Sequence, residues 1–380
     1  MSARGNAQQR IKRRISVGAA FVTNGVVSFQ LPRNYDVETV GVRIAGSWTL
    51  PAALATGSNG FKPVLRSDAP FGLIQRVEVV LEGRQTIVSV PARILAMANV
   101  WRRRQYFAMT NVDTYGQTQN PGLVRNVATA SSVLTENTTI NFTGTFYIDF
   151  QAIMGVRPKD TNLRAGGLQT FELRLITSDL TGLLYQPSAT LLTTPFSPPA
   201  IGATLPANTT ANLGTLNATT IDIFDLELEE LKSGTGQMSV PGFVQRWTNQ
   251  NIALGANNAA LETLLPTDNF IGAIIIAPTI GNEAQDNVVT DVIARRGTDQ
   301  RISLPAPDLI ALNERDYMHQ RFAGYMIADF MHSGATRTKL ADMWNVQGGA
   351  DTRLVTAINQ SGANVNMDVT TVEYIPVKQA

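Results

Sequence analysis

A long stretch without charge divides this chain into two parts of similar length. No Asp, Glu, Lys or Arg lies between Asp179 and Asp222, and the stretch is rich in proline, threonine, alanine and asparagine. Proline fixes φ and donates no backbone hydrogen bond, so such a composition does not continue a helix or a central strand. A connection of this length is unusual inside one compact domain. The stretch therefore predicts a linker, residues 186–217, between two domains.

Strand-like alternation dominates the part before the linker. In Thr138–Phe150 apolar residues recur at every second position except Gly144, and Leu168–Ile176 repeats the pattern. Period two over this length indicates strands with one buried face. Asn24-Gly25 predicts the two-residue turn of a hairpin. The hairpin and the other strands predicted in this part are Phe21–Phe29, Glu38–Leu50, Leu73–Leu81 and Thr86–Val90.

The part after the linker repeats this plan. Arg301–Glu314 echoes Ile87–Val100, because each runs from a strand through Ser, an apolar residue and Pro-Ala into an amphipathic helix. The first of these helices is predicted at Ala92–Gln105, directly after Pro91. We interpret the echo as a duplicated domain. The strands predicted in this part are Ile221–Leu231, Phe270–Ala277, Gly324–Phe330, Thr352–Ile358 and Val365–Ile375.

Three segments carry more specific expectations. Alternation in Ile221–Leu231 sends Asp225, Glu227 and Glu229 to one solvated face. The apolar run Phe270–Ala277 is expected to be buried on both faces or at an interface. Residues 111–135 and 232–261 are expected to be exposed loops.

Many strands at regular spacing with few helices are typical of sandwiches and barrels. The chain of 380 residues is also long enough for two cores. We therefore predict an all-β fold of two consecutive eight-stranded jelly-roll β-barrels, each with a short flanking helix. The predicted divisions are a basic N-terminal arm at 1–15, a first jelly roll at 16–185, the linker at 186–217 and a second jelly roll at 218–380.

The residue types needed for most catalytic sites are scarce. Cysteine is absent, and His319 and His332 are the only histidines. Two lone histidines do not make a zinc site, which needs three or four ligands. No metalloprotease, nucleophile-elbow, Walker or dinucleotide-binding motif occurs. No cofactor, metal or enzymatic activity is therefore expected, although two carboxylates distant in sequence remain able to meet.

Two groups of basic residues are candidate contact sites. The arm group precedes the first acidic residue, Asp36. It is typical of a segment that contacts anionic lipid, nucleic acid or a neighbouring subunit, and equally of a solvated tail. A secretory signal agrees less well with the pattern. The second group ends the first helix and fits a contact between subunits, a nucleic-acid patch or, as we favour, helix-end charge beside a half-buried tryptophan. A net charge of +1 gives no reason to expect sequence-specific nucleic-acid binding. The groups are Arg4, Arg10, Lys12, Arg13 and Arg14, and Trp101, Arg102, Arg103 and Arg104.

The order of these segments resembles the double jelly-roll major capsid proteins of tailless, membrane-containing icosahedral phages, the tectivirus-like group. The resemblance is spread over most of the chain, from about Val40 to Ile375, and depends on the order of segments rather than on one motif. The segments that carry it are Gly72–Val77, Thr143–Phe150, Val156–Leu163, Gln169–Leu175, Arg295–Tyr317 and Ala350–Ile375.

The resemblance implies a structural role in a virion. In that family three chains form a trimer, whose six upright barrels make a pseudo-hexagonal block of an icosahedral shell. The implied partners are further copies of the chain, neighbouring capsomers, minor capsid or penton proteins and an internal lipid membrane beneath the N-terminal arm. Assembly in the host cytoplasm is implied too. Apolar strands such as Phe270–Ala277 would then be side walls buried in the trimer.

Other protein classes share some of these features. A secreted or surface β-sandwich adhesin that binds carbohydrate would also lack catalytic motifs, but only 7% of residues are aromatic and no Trp/Tyr cluster stands out. An enzyme on a jelly-roll scaffold would have to rely on carboxylates. A minor capsid or spike protein is close to the main hypothesis, although two domains favour the shell-building component.

Overall fold

The computed structural model describes residues 8–34, 36–49, 64–66, 68–103, 139–150, 163–185, 214–230, 243–281, 283–317, 324–331, 343–348, 351–360 and 365–376. In these ranges the chain forms 21 β-strands and two α-helices, α1 (Ala92–Arg103) and α2 (Ala306–Tyr317). The predicted dominance of strands is confirmed. The predicted linker lies outside the described residues except for 214–217.

The first ten strands precede residue 186. They are β1 (Gln8–Ala20), β2 (Val26–Gln30), β3 (Asp36–Thr49), β4 (Val64–Leu65), β5 (Ile74–Leu81), β6 (Gln85–Val90), β7 (Thr139–Asp149), β8 (Leu163–Arg164), β9 (Phe171–Thr177) and β10 (Leu184–Tyr185).

The other eleven strands follow residue 213. They are β11 (Thr215–Glu230), β12 (Phe243–Ala253), β13 (Asn258–Leu264), β14 (Phe270–Ile280), β15 (Glu283–Ala284), β16 (Val289–Arg296), β17 (Asp299–Pro305), β18 (Met326–Asp329), β19 (Trp344–Asn345), β20 (Thr352–Ile358) and β21 (Val365–Pro376).

The first β-sandwich packs two sheets around one core. One sheet has the order β1-β11-β3-β7, with β8 beside β3, and the other runs β6-β5-β9-β2. Both contribute to the same buried cluster, in which Phe71 packs edge-on against Phe146 and Phe150 packs against Phe171. The predicted alternation is confirmed, since Phe146 of β7 and Leu173 of β9 are fully buried.

The second β-sandwich shares a sheet with the first. Strand β12 pairs in parallel with β6, so β12, β21, β14 and β15 continue the first sandwich's sheet, while β13-β20-β16-β17 forms the opposing layer. Strand β14 is buried along nearly its whole length within the single chain: Ile275 contributes to the first core cluster, Ile274 to the second. The expectation that Phe270–Ala277 is a side wall buried by a trimer is therefore corrected, because both of its faces are covered by its own chain.

Strand pairing also corrects two local expectations. A turn forms at Asn24, which has a positive φ of 49°, but the flanking strands do not make a hairpin: β1 pairs with β11 and β2 with β9. Within the expected loop 232–261, residues 243–253 are strand β12 and β13 begins at Asn258. Residues 111–135 lie outside the described residues.

The two helices begin where the sequence predicts. Each begins at the alanine of the Pro-Ala step, and in α1 the amides of Ile94 and Leu95 donate to the carbonyl of Pro91. Proline suits this place because its missing N–H would have had no partner inside the helix.

Candidate assembly surfaces

The expected basic arm is, from Gln8 onward, the edge strand of a sheet. Strand β1 pairs antiparallel with β11, and Arg13 lies opposite Asp225, with 3.6 Å between Nε and Oδ2. Lys12 and Arg14 point to the other face and are exposed. The basic residues of β1 therefore lie on two faces. Arg13 faces a carboxylate of its own sheet, whereas Lys12 and Arg14 are exposed on the opposite face. Residues 1–7, with Arg4, and the side chain of Arg10 are not described.

The acidic strand β11 differs from the solvated face predicted for it. Asp225 is only 3% exposed, because Arg13 and the rest of the sheet cover it. Asp222 accepts a hydrogen bond from the backbone N–H of Gly18 at 2.7 Å and lies 3.2 Å from Arg43. These contacts fix β1 onto β11, and β11 lies between β1 and β3 in the first sandwich. The side chains of Glu227 and Glu229 are not described.

Apolar side chains are exposed where β1 turns into β2. Val17, Val22 and Val26 are 61%, 50% and 58% exposed and lie within ten residues of one another. Strands β1 and β2 are also the outermost strands of their sheets among the described strands. Open sheet edges with exposed apolar residues are typical of contact surfaces.

Trp101 lies inside the chain. It is 1% exposed, stacks on Tyr317 of α2 with ring centroids 6.3 Å apart, and meets Tyr325 edge-on at 6.4 Å. This placement corrects both the half-buried position and the contact between subunits, because the indole is covered by the second half of its own chain. The side chains of Arg102 and Arg103, and all of Arg104, fall outside what the structure describes.

A buried ion pair also holds the two halves together. Arg93 of α1 pairs with Asp368 of β21, whose Oδ1 accepts hydrogen bonds from Asn249 and Asn251 of β12, each at 2.9 Å. Burial acts to lower the pKa of Arg93, but the charge of Asp368, with smaller contributions from Tyr325 and Asp68, raises it overall. The guanidinium therefore stays charged at the junction.

A second pair lies next to the stacked aromatic rings. Arg66 donates two hydrogen bonds to Asp68, both at 2.7 Å, and the hydroxyl of Tyr325 lies 3.4 Å from the same carboxylate. Such paired donors satisfy a buried carboxylate whose desolvation would otherwise be costly. The junction thus combines polar and aromatic contacts between the two halves.

The described ranges contain no group of three or more His, Asp and Glu residues arranged to hold a metal ion. His319 and His332 fall outside those ranges. No helix in the described part of the chain has the length and apolar character needed to cross a membrane.

Comparison with known proteins finds similarity in structure only, since no family model and no curated protein matches the chain. The major capsid protein of STIV, Sulfolobus turreted icosahedral virus, is 12% identical with a TM-score of 0.66, and the match covers 97% of each chain. The major capsid protein of bacteriophage PM2 is 14% identical with a TM-score of 0.56, over 98% of each chain. A quasi-atomic model of the PBCV-1 virus capsid is 11% identical with a TM-score of 0.53, over 98% of this chain and 95% of that one.

The similarity extends over nearly the full length of each of these chains, so it includes both sandwiches and their connection. At such low identity it is a likeness of fold, and it confirms the predicted fold class. The chain has the double jelly-roll fold of these viral capsid proteins.

Proposed function

We propose that this chain is the major capsid protein of an icosahedral virus, and that three copies form a pseudo-hexagonal capsomer. The observation that carries the proposal is the match over 97–98% of this chain to three capsid proteins. A jelly roll alone hosts many functions. Two jelly rolls in tandem, matched over nearly the whole chain, are a much more specific similarity than a single jelly roll.

The composition and surface support broad contacts between copies. Only 16% of residues are charged, below the roughly 25% typical of soluble domains. Uncharged surface is covered by a neighbour at low desolvation cost. The exposed Val17 and Val26 lie on β1 and β2, the outermost strands of their sheets among the described strands, and Val22 lies in the connection between them. A second copy would bury these side chains.

The first test is the solution mass of the purified chain by light scattering after gel filtration. We expect a species of about three 41.1 kDa chains that persists on dilution. The double variant Val22→Asp/Val26→Asp should shift it towards monomer, because two charges would have to be buried in the contact. The matched control is Thr298→Asp/Gln300→Asp, which adds the same charge at exposed positions around β17 in the second sandwich, away from the β1–β2 edge, and should remain trimeric.

A monomer in the wild type would contradict the capsomer and favour the adhesin, to be tested next by glycan binding. Circular dichroism of each variant separates lost assembly from lost folding. A trimer unaffected by the valine variant would retain the capsomer but move the contact away from the β1–β2 edge.

We further propose that the basic face of β1 contacts an anionic membrane or a neighbouring capsomer beneath the shell. Lys12 and Arg14 are exposed, and each exposed basic residue near an anionic leaflet contributes about 1 kcal/mol. Because residues 8–15 are part of a sheet, removing them would disturb the fold as well as the charge. Substitution of exposed side chains is therefore the better test.

Lys12→Gln/Arg14→Gln should weaken binding to phosphatidylserine vesicles at low salt without changing the oligomer. The control, Arg76→Gln/Arg84→Gln, removes two exposed charges elsewhere in the first sandwich and should bind as the wild type does. If the two double variants bind the vesicles equally well, the membrane role is overturned. Contact of the basic face with a neighbouring capsomer then remains as the proposal.

The predicted domain boundaries and the remaining partners belong to this proposal. Strand β11 begins in the predicted linker and lies in the first sandwich. We therefore propose that the second jelly roll begins after β11 rather than at residue 218. Minor capsid or penton proteins would meet the edges of the capsomers, and the assembled chain would be located in the virion.

A further inference from the structure

The duplicated Pro-Ala-helix segment carries an asparagine at the same place in both halves. Asn99 is the eighth residue of α1, and Asn313 is the eighth residue of α2. Both side chains are buried, at 3% and 4% exposure. A buried amide in a helix needs hydrogen-bond partners, because it cannot reach water. In both helices those partners include the backbone of a neighbouring strand.

Asn313 pairs with Ile327 of β18 as an adjacent strand would. Its Oδ1 accepts from the Ile327 N–H and its Nδ2 donates to the Ile327 carbonyl, both at 2.8 Å. One side-chain amide thus reproduces both hydrogen bonds of a β-bridge. The groups it satisfies lie on the side of β18 that faces away from its partner strand β14, where Ile275 is opposite Ile327.

Asn99 occupies the equivalent place in the first half. Its Oδ1 accepts from the backbone N–H of Tyr147 in β7 at 2.7 Å, and its Nδ2 donates to Asp149 at 3.1 Å. Asp149 also accepts from Thr39 of β3 at 2.9 Å. Strand β7 pairs with β3 on its other side and is the last strand of its sheet among the described strands.

Both asparagines therefore satisfy backbone groups that point away from the sheet. An edge strand with unpaired N–H and C=O groups is a template for another chain, and proteins cover such edges. A helix cannot do so with its own backbone, whose groups are already paired internally. A side-chain amide can, because it carries an NH2 donor group and a C=O acceptor in one plane.

We propose that Asn99 and Asn313 are repeat-equivalent edge-closing residues, each of which bonds its helix to the free edge of a strand. They close one edge in each half, on β7 and β18, to pairing with another chain. Within the described ranges, no helix side chain is bonded in this way to the edges of β1 and β2. The inference holds for the fold whether or not the chain assembles into a capsid.

The test is hydrogen exchange in Asn313→Leu, which keeps a buried side chain of similar volume but removes both hydrogen bonds. Exchange at Ile327 should become at least about tenfold faster, because its amide loses its acceptor, while exchange across β14 stays slow. Segments 326–329 and 270–280 are compared by mass spectrometry. Glu314→Leu, at the exposed neighbouring position, is the control and should leave both segments unchanged.

Aspartate at the two sites gives a second readout that separates hydrogen bonding from space filling. Asn313→Asp retains the acceptor for Ile327 and should preserve more of its protection than leucine does. Asn99→Asp should accelerate exchange in β7 far more than Asn313→Asp accelerates it in β18, because it places a second carboxylate next to buried Asp149. Unchanged exchange at Ile327 in Asn313→Leu would overturn the proposal. So would uniform loss of protection in β18 and β14, or equal effects of the two aspartates.

Discussion

At the scale of single residues, Asp179 shows how one carboxylate organises a turn. It is the last charged residue before the uncharged stretch, and it accepts hydrogen bonds from the backbone N–H of Thr181 at 2.9 Å and from the amide of Asn24 at 3.3 Å. Burial acts to raise the pKa of Asp179, but the bonds from Thr181 and Asn24 together lower it below its ordinary value. The carboxylate thus joins the β1–β2 connection to the end of β9.

The lowered pKa of Asp179 determines how the stability of the fold depends on pH. Because the pKa is lower in the folded chain than in the unfolded one, ionised Asp179 stabilises the fold above the unfolded value of about 3.9, and this contribution is lost as pH falls through the folded value. Asp179→Ala should therefore cost about 1 kcal/mol at pH 7 and progressively less in acid. Urea unfolding at several pH values measures the difference. Asp291→Asn, an exposed carboxyl of β16, is the control, and a cost for Asp179→Ala that does not change with pH would contradict the assignment.

Single residues also mark where sequence reasoning reached its limit. Alternation correctly identified the buried rows of β7 and β9, but it leaves Asp149 on the face opposite the apolar row and sends Asp225 to a solvated face. Both are buried, because Asn99, Thr39 and Arg13 lie next to them. These partners are 50 or more residues away along the chain. Periodicity describes which way a side chain points and not what distant segment meets it.

At the scale of elements, strands with one apolar face could be predicted from the sequence. A strand whose polar side chains bond a neighbouring strand could not. Strands β5, β6, β20 and β21 lie close to their predicted bounds, and α1 begins after Pro91 as expected. Strand β12 was missed because its middle, around Asn249 and Asn251, has the composition of a loop. Those amides bind Asp368 of the neighbouring strand β21, so tertiary hydrogen bonds, not local preference, make this segment a strand.

Pairing partners were the other information missing from the sequence. The turn at Asn24 was recognised correctly, but a hairpin requires its two strands to pair with each other, and here they enter opposite sheets. Similarly, the basic start of the chain was interpreted as an arm because no local signal shows that β11, more than 200 residues away, is its partner. Charge provided a clue in retrospect, since the basic residues of β1 and the acidic residues of β11 are complementary.

At the scale of the whole molecule, the two sandwiches form one continuous body. The shared sheet passes from β6 to β12, and the first core cluster extends through Trp101 and Trp247 to Tyr317. A building block of a shell needs such rigidity, because flexing between two barrels would spoil the contacts on all its sides. The fold thus supports the proposed role through its junction as well as through its overall likeness to capsid proteins.

The pair formed by Arg93 and Asp368 should therefore contribute strongly to stability. Both side chains are largely buried, so removing one leaves the other charge without its ionic partner. Arg93→Met should lower the free energy of unfolding by roughly 3 kcal/mol or more. The double variant Arg93→Met/Asp368→Asn should cost less than the sum of the two single variants, with a coupling of about 1–3 kcal/mol. Denaturant unfolding of the four proteins measures this cycle.

The exposed pair of Arg301 and Asp299, with side chains 56% and 59% exposed, provides the matched control. Its cycle should give a coupling of no more than about 1 kcal/mol, because water screens the two charges. The junction also predicts the shape of the transition. The wild type should unfold in one step, whereas Arg93→Met should separate the unfolding of the two sandwiches, seen as a difference between tryptophan fluorescence and circular dichroism. Additive single variants with a single transition in all four proteins would show that the shared sheet alone holds the halves together.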